Sequence, residues 1–165
     1  MSALPISIFR VDTPDGPQEC VSCLTHDQVF AQGMPPEGIV GVLLRSLGPG
    51  ETITPVVFSP NRAFADFLHG MIARRASALP GFIAEARRQG NGWIYVIDQR
   101  APTPDDAVPP EDILGFFQVS DGEVVPDSYQ PNPRHLILSA NGFMRLEGEL
   151  QACLLEELAG LATEP

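Results

Sequence analysis

The sequence predicts an α+β domain with mainly antiparallel sheets and flanking helices, formed by residues 1–165 as a single domain. Stretches with strand patterns outnumber stretches with helical periodicity, and they concentrate in the second half of the chain. The links between those stretches are too short for the helical crossovers that parallel strands need. Hydrophobic residues make up 44% and charged residues 19% of the chain, which is typical of one ordered domain. We recognise no internal repeat and no linker that divides the chain.

The first half of the chain carries several local signals. Ile6–Val11 has the pattern of a strand, and the turn-rich Asp12–Pro17 follows it. Thr25 and Gln28 form a capping-box pattern for a short helix that extends through Phe30, and Gly33 is a suitable terminator. The apolar stretch from 38 to 47 fits a strand and a helix equally well. Ile53–Phe58 is predicted to be a strand at a sheet edge or bulge, because it contains a proline.

Two helices are predicted in the middle of the chain. Asn61 can cap the first, whose apolar residues recur at helical spacing at Phe64, Phe67, Leu68, Met71 and Ile72. Arg74 and Arg75 are placed to stabilise its C-terminal dipole. Leu79-Pro80-Gly81 should break the helix, and Phe82–Gln89 should form a second one that ends at Gly90.

The second half is predicted to be rich in strands. Trp93–Ile97 is an unbroken run of aromatic and β-branched residues, which indicates a central strand buried on both faces. A proline-rich loop follows from 100 to 110. The remaining predicted elements are the strands Ile113–Val119, Leu136–Leu138 and Phe143–Leu146, a turn at Asn141-Gly142, and a C-terminal helix with Leu150, Leu154, Leu158 and Leu161 on one face.

The charge and the cysteines exclude several classes of protein. A net charge of −11 argues against binding to nucleic acid or to anionic membranes. The first residues lack the pattern of a signal peptide, and no apolar run is long enough to cross a membrane. We therefore expect a soluble cytoplasmic protein with reduced cysteines, although export by a signal-independent machine stays open. The sequence sets no oligomeric state.

Familiar catalytic and metal motifs are absent. The chain has no Gly-x-Ser-x-Gly, no Walker phosphate loop and no dinucleotide-binding Gly-x-Gly-x-x-Gly. Cys20 and Cys23, with His26 three residues later, make half of a zinc pattern, but a second pair of ligands is missing. We therefore predict no metal site, and we interpret the two cysteines as loop residues.

The polar residues that remain as candidates lie at the ends of predicted strands. Arg10 and Ser59 end two of them, and Asp121 and Glu123 follow a third. The segments around them resemble the cholera and pertussis toxin type of bacterial ADP-ribosyltransferase. Ile8-Phe9-Arg10-Val11-Asp12 is similar to the family's opening Tyr-Arg-x-Asp, and Gly92–Ile97 is similar to its Tyr-Ile-Tyr-Val-Ile strand. Val56–Ser59 stands in the place of its Ser-Thr-Ser strand.

The resemblance implies an ADP-ribosyltransferase-like fold and a site for NAD. Glu123 would be the catalytic glutamate that stabilises the oxocarbenium-like transition state. Asp121 would orient or deprotonate the acceptor side chain of a target protein. Arg10 would bind a phosphate or ribose of NAD, and Ser59 would position the glutamate.

The same residues also permit a non-catalytic interpretation. Only one serine of the family's triplet is present, and the two-carboxylate motif begins with Asp and contains Gly122. Asp121-Gly122 between apolar runs is typical of an ordinary hairpin turn. Two hypotheses follow: an NAD-dependent mono-ADP-ribosyltransferase that acts as an effector on a protein, and a non-catalytic acidic protein that binds a basic partner.

Overall fold

In the computed structural model, which describes residues 4–100 and 108–161, the chain forms antiparallel sheets and flanking helices. The first sheet has the strand order β1-β2-β3-β4. In the second sheet β5 pairs with one edge of β6, and β7 and β8 pair with the other. The strands are β1 Ser7–Thr13, β2 Gly16–Ser22, β3 Ile39–Leu43, β4 Phe58–Pro60, β5 Gly92–Ile97, β6 Ile113–Ser120, β7 Glu123–Val124, β8 Gln130–Pro131, β9 Leu138–Ser139 and β10 Gly142–Phe143.

The described residues form four α-helices beside the sheets, and several of the helix ends follow the sequence signals. They are α1 His26–Gln32, α2 Arg62–Arg75, α3 Pro80–Gln89 and α4 Gly148–Leu161. Thr25 and Gln28 form the expected capping box at α1, and the Asn61 side chain accepts a hydrogen bond from the Ala63 amide at the start of α2. Gly33 and Gly90 end α1 and α3 with positive φ. None of the helices in the described ranges is long and apolar enough to span a membrane.

The main core lies between both sheets and the helices α2 and α4. Its fully buried side chains include Val21 and Val40 from the first sheet, Leu114 from the second, Leu68 from α2 and Leu154 from α4. Helix α3 covers the second sheet through a smaller cluster of Ala86, Ile94 and Val119. The coarse prediction of an antiparallel α+β fold is therefore confirmed.

Several predicted elements need correction. Trp93–Ile97 is not a central strand: among the described strands β5 pairs only with β6, and Trp93 and Tyr95 are exposed. The open stretch from 38 to 47 contains strand β3. In place of the predicted strand Ile53–Phe58 there is a 3-10 turn, Pro55–Val57, before the short β4. The proline-rich loop lies partly outside the described residues.

The chain contains an internal repeat that the sequence analysis did not recognise. Pro35–Gly41 reads Pro-Pro-Glu-Gly-Ile-Val-Gly, and 109–115 reads Pro-Pro-Glu-Asp-Ile-Leu-Gly. In both segments a 3-10 turn starts at the second proline and leads into a strand, β3 or β6. The two segments are identical at five of seven positions and have the same local structure.

Strand register supports the repeat. Gly41 pairs with Val21 on one side and Pro60 on the other, while Gly115 pairs with Val96 and Pro131. The register shifts after the valine in both β2 and β5, so each repeat carries the same bulge. Strands β2, β3 and β4 of the first repeat thus correspond to β5, β6 and β8 of the second.

One asparagine in each repeat makes the same side-chain contacts. The Asn61 Nδ2 donates to the carbonyls of Pro36 and Ile39, both at 2.8 Å. The Asn132 Nδ2 donates to the carbonyls of Pro110 and Ile113, also at 2.8 Å. Each amide therefore ties the end of the short third strand, β4 or β8, to the turn before the middle strand.

Candidate functional site

The structure places Arg10 and Ser59 on opposite edges of the first sheet. Arg10 lies on β1 and Ser59 on β4, with β2 and β3 between them. Three strand spacings separate the two edges, which amounts to about 14 Å. Arg10 lines an open, polar cavity of about 390 Å³ that also contains Asp15, Glu19 and Arg45.

Asp121 and Glu123 lie together on the second sheet, at the β6–β7 hairpin. Asp121 and Gly122 have φ values of 52° and 79°, so both adopt the left-handed conformation that a tight two-residue hairpin turn requires. The Gly122 amide donates to the carbonyl of Gly90 at 2.7 Å, which fixes the turn against the end of α3. Both carboxylates are exposed.

Glu123 faces a different cavity from Arg10. Its neighbours there are Ser77, Ile83 and Arg87, and neither Arg10 nor Ser59 lines this cavity. The structure therefore brings Asp121 and Glu123 together, in the hairpin that was the alternative interpretation, and it does not bring Arg10 or Ser59 to them.

A cleft of about 370 Å³ brings together two histidines that are far apart along the chain. His69 from α2 and His135 from the segment after β8 line it, together with Asn61, Arg62 and mostly apolar side chains. The sequence analysis did not connect these histidines, since no short motif joins them. A mostly apolar cleft with a few polar groups is a common form of ligand site.

The chemistry of His69 is that of a neutral ring. Its Nδ1 lies 2.8 Å from the hydroxyl of Tyr129. Burial, with a contribution from nearby His135, lowers the pKa of His69 to about 4, although Asp66 acts in the opposite direction. Burial also raises the pKa of Tyr129. Because a general base works best with a pKa near the working pH, this pair is poorly suited to proton transfer at neutral pH.

His135 belongs to a buried polar network rather than to an open site. Its side chain is 3% exposed, and its Nε2 lies 2.9 Å from Oδ2 of Asp98. The other carboxylate oxygen of Asp98 accepts hydrogen bonds from the amides of Arg100 and Arg145, at 3.1 and 2.8 Å. Both carboxylate oxygens of Asp98 therefore have hydrogen-bond partners inside the protein.

Arg100 uses every N–H of its guanidinium within this network. Nε donates to Oδ1 of Asp112 at 2.8 Å. The two terminal nitrogens donate to four carbonyls, those of Glu111, Leu136, Ile137 and Gly142. No donor of Arg100 remains for a ligand, so the network holds the segment before β9 and the β9–β10 hairpin against the turn before β6.

The cysteines are packed rather than placed in a loop or a metal site. Cys20 lies on β2, which corrects the expectation of a loop, and Cys20, Cys23 and Cys153 are all buried free thiols. Burial raises the pKa of Cys23 to about 12, so it carries almost no thiolate at neutral pH. Within residues 4–100 and 108–161 no group of three or more His, Cys, Asp or Glu residues is placed to hold a metal ion.

Carboxylates outnumber arginines among the described charged groups that have no ion pair. Seven of the eighteen described Asp and Glu residues form ion pairs with described residues, and eleven do not. Those eleven are all exposed or half-exposed: Asp12, Asp15, Glu19, Asp27, Glu37, Glu111, Asp121, Glu123, Asp127, Glu147 and Glu149. The basic residues of the chain are all arginines, and only Arg10, Arg87, Arg134 and Arg145 lack an ion pair with the described part of the chain. The outward-facing charge is thus strongly negative.

Searches of protein-family models, curated proteins and solved structures found no match to this chain.

Proposed function

We propose that this protein is a non-catalytic interaction module that binds a basic partner through its acidic surface. The observation that carries the proposal is the imbalance between eleven carboxylates and four arginines that have no ion pair within the described residues. Arg45, Arg74, Arg75 and Arg88 are already neutralised by glutamates of the same chain, so they do not offset that surface charge.

The chemistry of the clefts supports the same proposal. The two histidines are held by partners inside the fold, and His69 is neutral at physiological pH. Of the eleven carboxylates without an ion pair, in contrast, nine accept no hydrogen bond from the described residues; Glu19 accepts one from the Ser46 hydroxyl, and Glu147 accepts two from the first amides of α4. A surface of one charge sign accelerates encounter with an oppositely charged protein and disfavours partners of the same sign.

Binding to purified proteins of known charge tests this function. The chain should bind basic proteins of similar size, its affinity should fall steadily between low and physiological salt, and acidic proteins should not bind. Binding that is independent of salt, or equal for acidic and basic proteins, would contradict the proposal.

The ADP-ribosyltransferase hypothesis remains a separate prediction with its own test. Asp121 and Glu123 share a hairpin, but Arg10 and Ser59 lie elsewhere, so a transferase would need a different set of NAD-binding residues. We expect no heat of NAD binding in titration calorimetry and no transfer of label from NAD to a protein acceptor. Label transfer by the wild type that Glu123→Gln abolishes would favour the transferase instead.

A further inference from the structure

The outer edge of β5 has no described strand beside it, whereas the corresponding edge in the first repeat is paired with a strand. Strand β5 pairs with β6 on one side only, and no described strand covers its other edge. The equivalent strand of the first repeat is β2, and there β1 of the same chain pairs antiparallel along the corresponding edge. Among the described strands, none stands to β5 as β1 stands to β2.

Strand β5 lacks two of the usual protections of an edge strand, and its one irregularity is the bulge after Val96, near its end. Its six residues, Gly92–Ile97, include no charged residue and no proline. Trp93 and Tyr95 are 42% and 55% exposed and lie beside the ring of Phe116, at 5.2 and 5.9 Å between ring centroids. An apolar edge of this kind is suited to pairing with another strand.

A groove of about 350 Å³ runs along this edge. Its wall on the strand side consists of the consecutive residues Ile94, Tyr95, Val96 and Ile97. Because consecutive side chains point to opposite faces of a sheet, a cavity that touches all four must follow the edge of the strand. Phe82 from α3 and Leu150 from α4 add apolar surface on the helical side.

Carboxylates surround the groove. Glu85, Glu147 and Glu149 line it, and no described arginine pairs with Glu147 or Glu149. The Glu147 carboxylate accepts hydrogen bonds from the amides of Glu149 and Leu150, at 3.1 and 3.3 Å, so it is held in place at the start of α4. Glu85 pairs with Arg88 and is partly neutralised. The groove therefore combines an open strand edge, an apolar wall and a negative rim.

We propose that β5 accepts an extended segment of a partner protein, in which apolar residues alternate with arginine or lysine, as an added antiparallel strand. Backbone hydrogen bonds to β5 would give affinity, apolar side chains would pack against Phe82 and Leu150, and basic side chains would approach Glu147 and Glu149. This inference rests on the proposed function and specifies the shape and place of the basic partner.

The first experiment uses a short fluorescein-labelled peptide in which arginine and valine alternate. It should bind saturably and more weakly as salt rises, and it should protect the backbone amides of Gly92–Ile97 from hydrogen exchange. A peptide with glutamate in place of arginine should not bind. A peptide N-methylated at every valine and arginine, which cannot donate to a strand ladder from either of its edges, should bind at least about tenfold more weakly. Absence of saturable binding, or equal binding of the N-methylated peptide, would overturn the proposal.

Two variants with the same change of charge locate the site. Glu149→Arg reverses a charge at the groove and should weaken peptide binding about tenfold, whereas Asp12→Arg on β1 should change it less than about twofold. Glu149→Gln is the control for a folding defect in Glu149→Arg. It should weaken peptide binding to an intermediate extent, and its circular dichroism should be like that of the wild type. If Asp12→Arg and Glu149→Arg weaken peptide binding equally, the assignment of the binding site to the groove is wrong.

The outcomes separate this inference from the function on which it rests. If basic proteins bind in a salt-sensitive way but the arginine–valine peptide does not, the assignment of the binding site to the groove is wrong, and the proposed acidic interaction function is retained. If neither the basic proteins nor the peptide bind, both proposals are wrong. A dimer that protects β5 and that the peptide cannot displace would identify a second copy as the occupant and would overturn the proposal.

Discussion

At the residue scale, single side chains hold together segments that are far apart along the chain. Asn61 and Asn132 each satisfy two carbonyls of a preceding turn, which leaves the short strands β4 and β8 little freedom. Arg100 connects more groups, because its guanidinium forms ion pairs with Asp98 and Asp112 and donates hydrogen bonds to four backbone carbonyls. Loss of such a group exposes several buried partners at once.

Removal of Arg100 should therefore be strongly destabilising. Arg100→Leu leaves the buried carboxylates of Asp98 and Asp112 without their arginine, and we expect a loss of about 3 to 5 kcal/mol in the free energy of unfolding. Arg45→Leu breaks a solvent-exposed pair with Glu51 and should cost far less, because water and salt screen that pair. Urea denaturation of both variants measures the difference, and equal effects would contradict the role of the network.

The low pKa of His69 predicts a pH dependence of stability. In the unfolded chain the ring takes up a proton as the pH falls through about 6.5, whereas in the folded protein it does so only near pH 4. The unfolded state therefore binds more protons between these values, and stability should decrease as the pH falls from 6.5 to 4. Because the ring is partly in contact with water, we expect at most about 2 kcal/mol from this group.

The variant His69→Gln isolates that contribution. Its free energy of unfolding should decrease less than that of the wild type between pH 7.5 and 4.5, as measured by urea denaturation at each pH. Identical pH profiles for the two proteins would show that the ring is not held neutral.

At the scale of elements, β5 shows where a local pattern misleads. A run of aromatic and β-branched residues predicts a strand buried on both faces, yet in β5 the outward face carries Trp93 and Tyr95 against Phe116. The sequence does not record whether such an apolar face packs against another layer of the same chain or against another protein. Whether a strand is central depends on its neighbours in the sheet.

The paired strands of both repeats depend on a glycine. A Cβ at Gly41 would lie 2.5 Å from the carbonyl oxygen of Ser59, and one at Gly115 would lie 2.6 Å from that of Gln130. Gly41→Ala and Gly115→Ala should each destabilise the protein by about 2 kcal/mol or more, since backbone must move. Gly70→Ala, in α2 with open space around it, should instead stabilise by about 0.5 to 1 kcal/mol. Thermal unfolding of the three variants checks these signs.

At the scale of the whole molecule, the two repeats share one core. Helix α2 follows the third strand of the first repeat directly, helix α4 follows the β9–β10 hairpin of the second, and the two helices pack against each other. Arg74 and Arg75 of α2 both reach Glu157 of α4, with nitrogen–oxygen distances of 2.7 and 3.3 Å. Because buried residues of both repeats form a continuous cluster, neither repeat can lose its packing without exposing the other.

A destabilising mutation in one repeat should therefore lower the stability of the other repeat as well. Leu68→Ala empties a fully buried position of α2 and should cost about 2 to 5 kcal/mol. The fluorescence of Trp93, in the second repeat, and the far-ultraviolet circular dichroism should report one transition at the same lowered denaturant midpoint. Separate transitions for the two signals would show that the repeats unfold independently.

The sequence by itself determined the features that depend on neighbours along the chain. The capping box at Thr25, the cap at Asn61 and the Asp121-Gly122 hairpin all follow from contacts within a few residues. Only the tertiary structure decided that β5 is an edge, that His69 and His135 share a cleft, and that two halves of the chain repeat one design. The physical reason is that sheet order, burial and ion pairing join residues distant in sequence, and no local pattern records which distant group will be the partner.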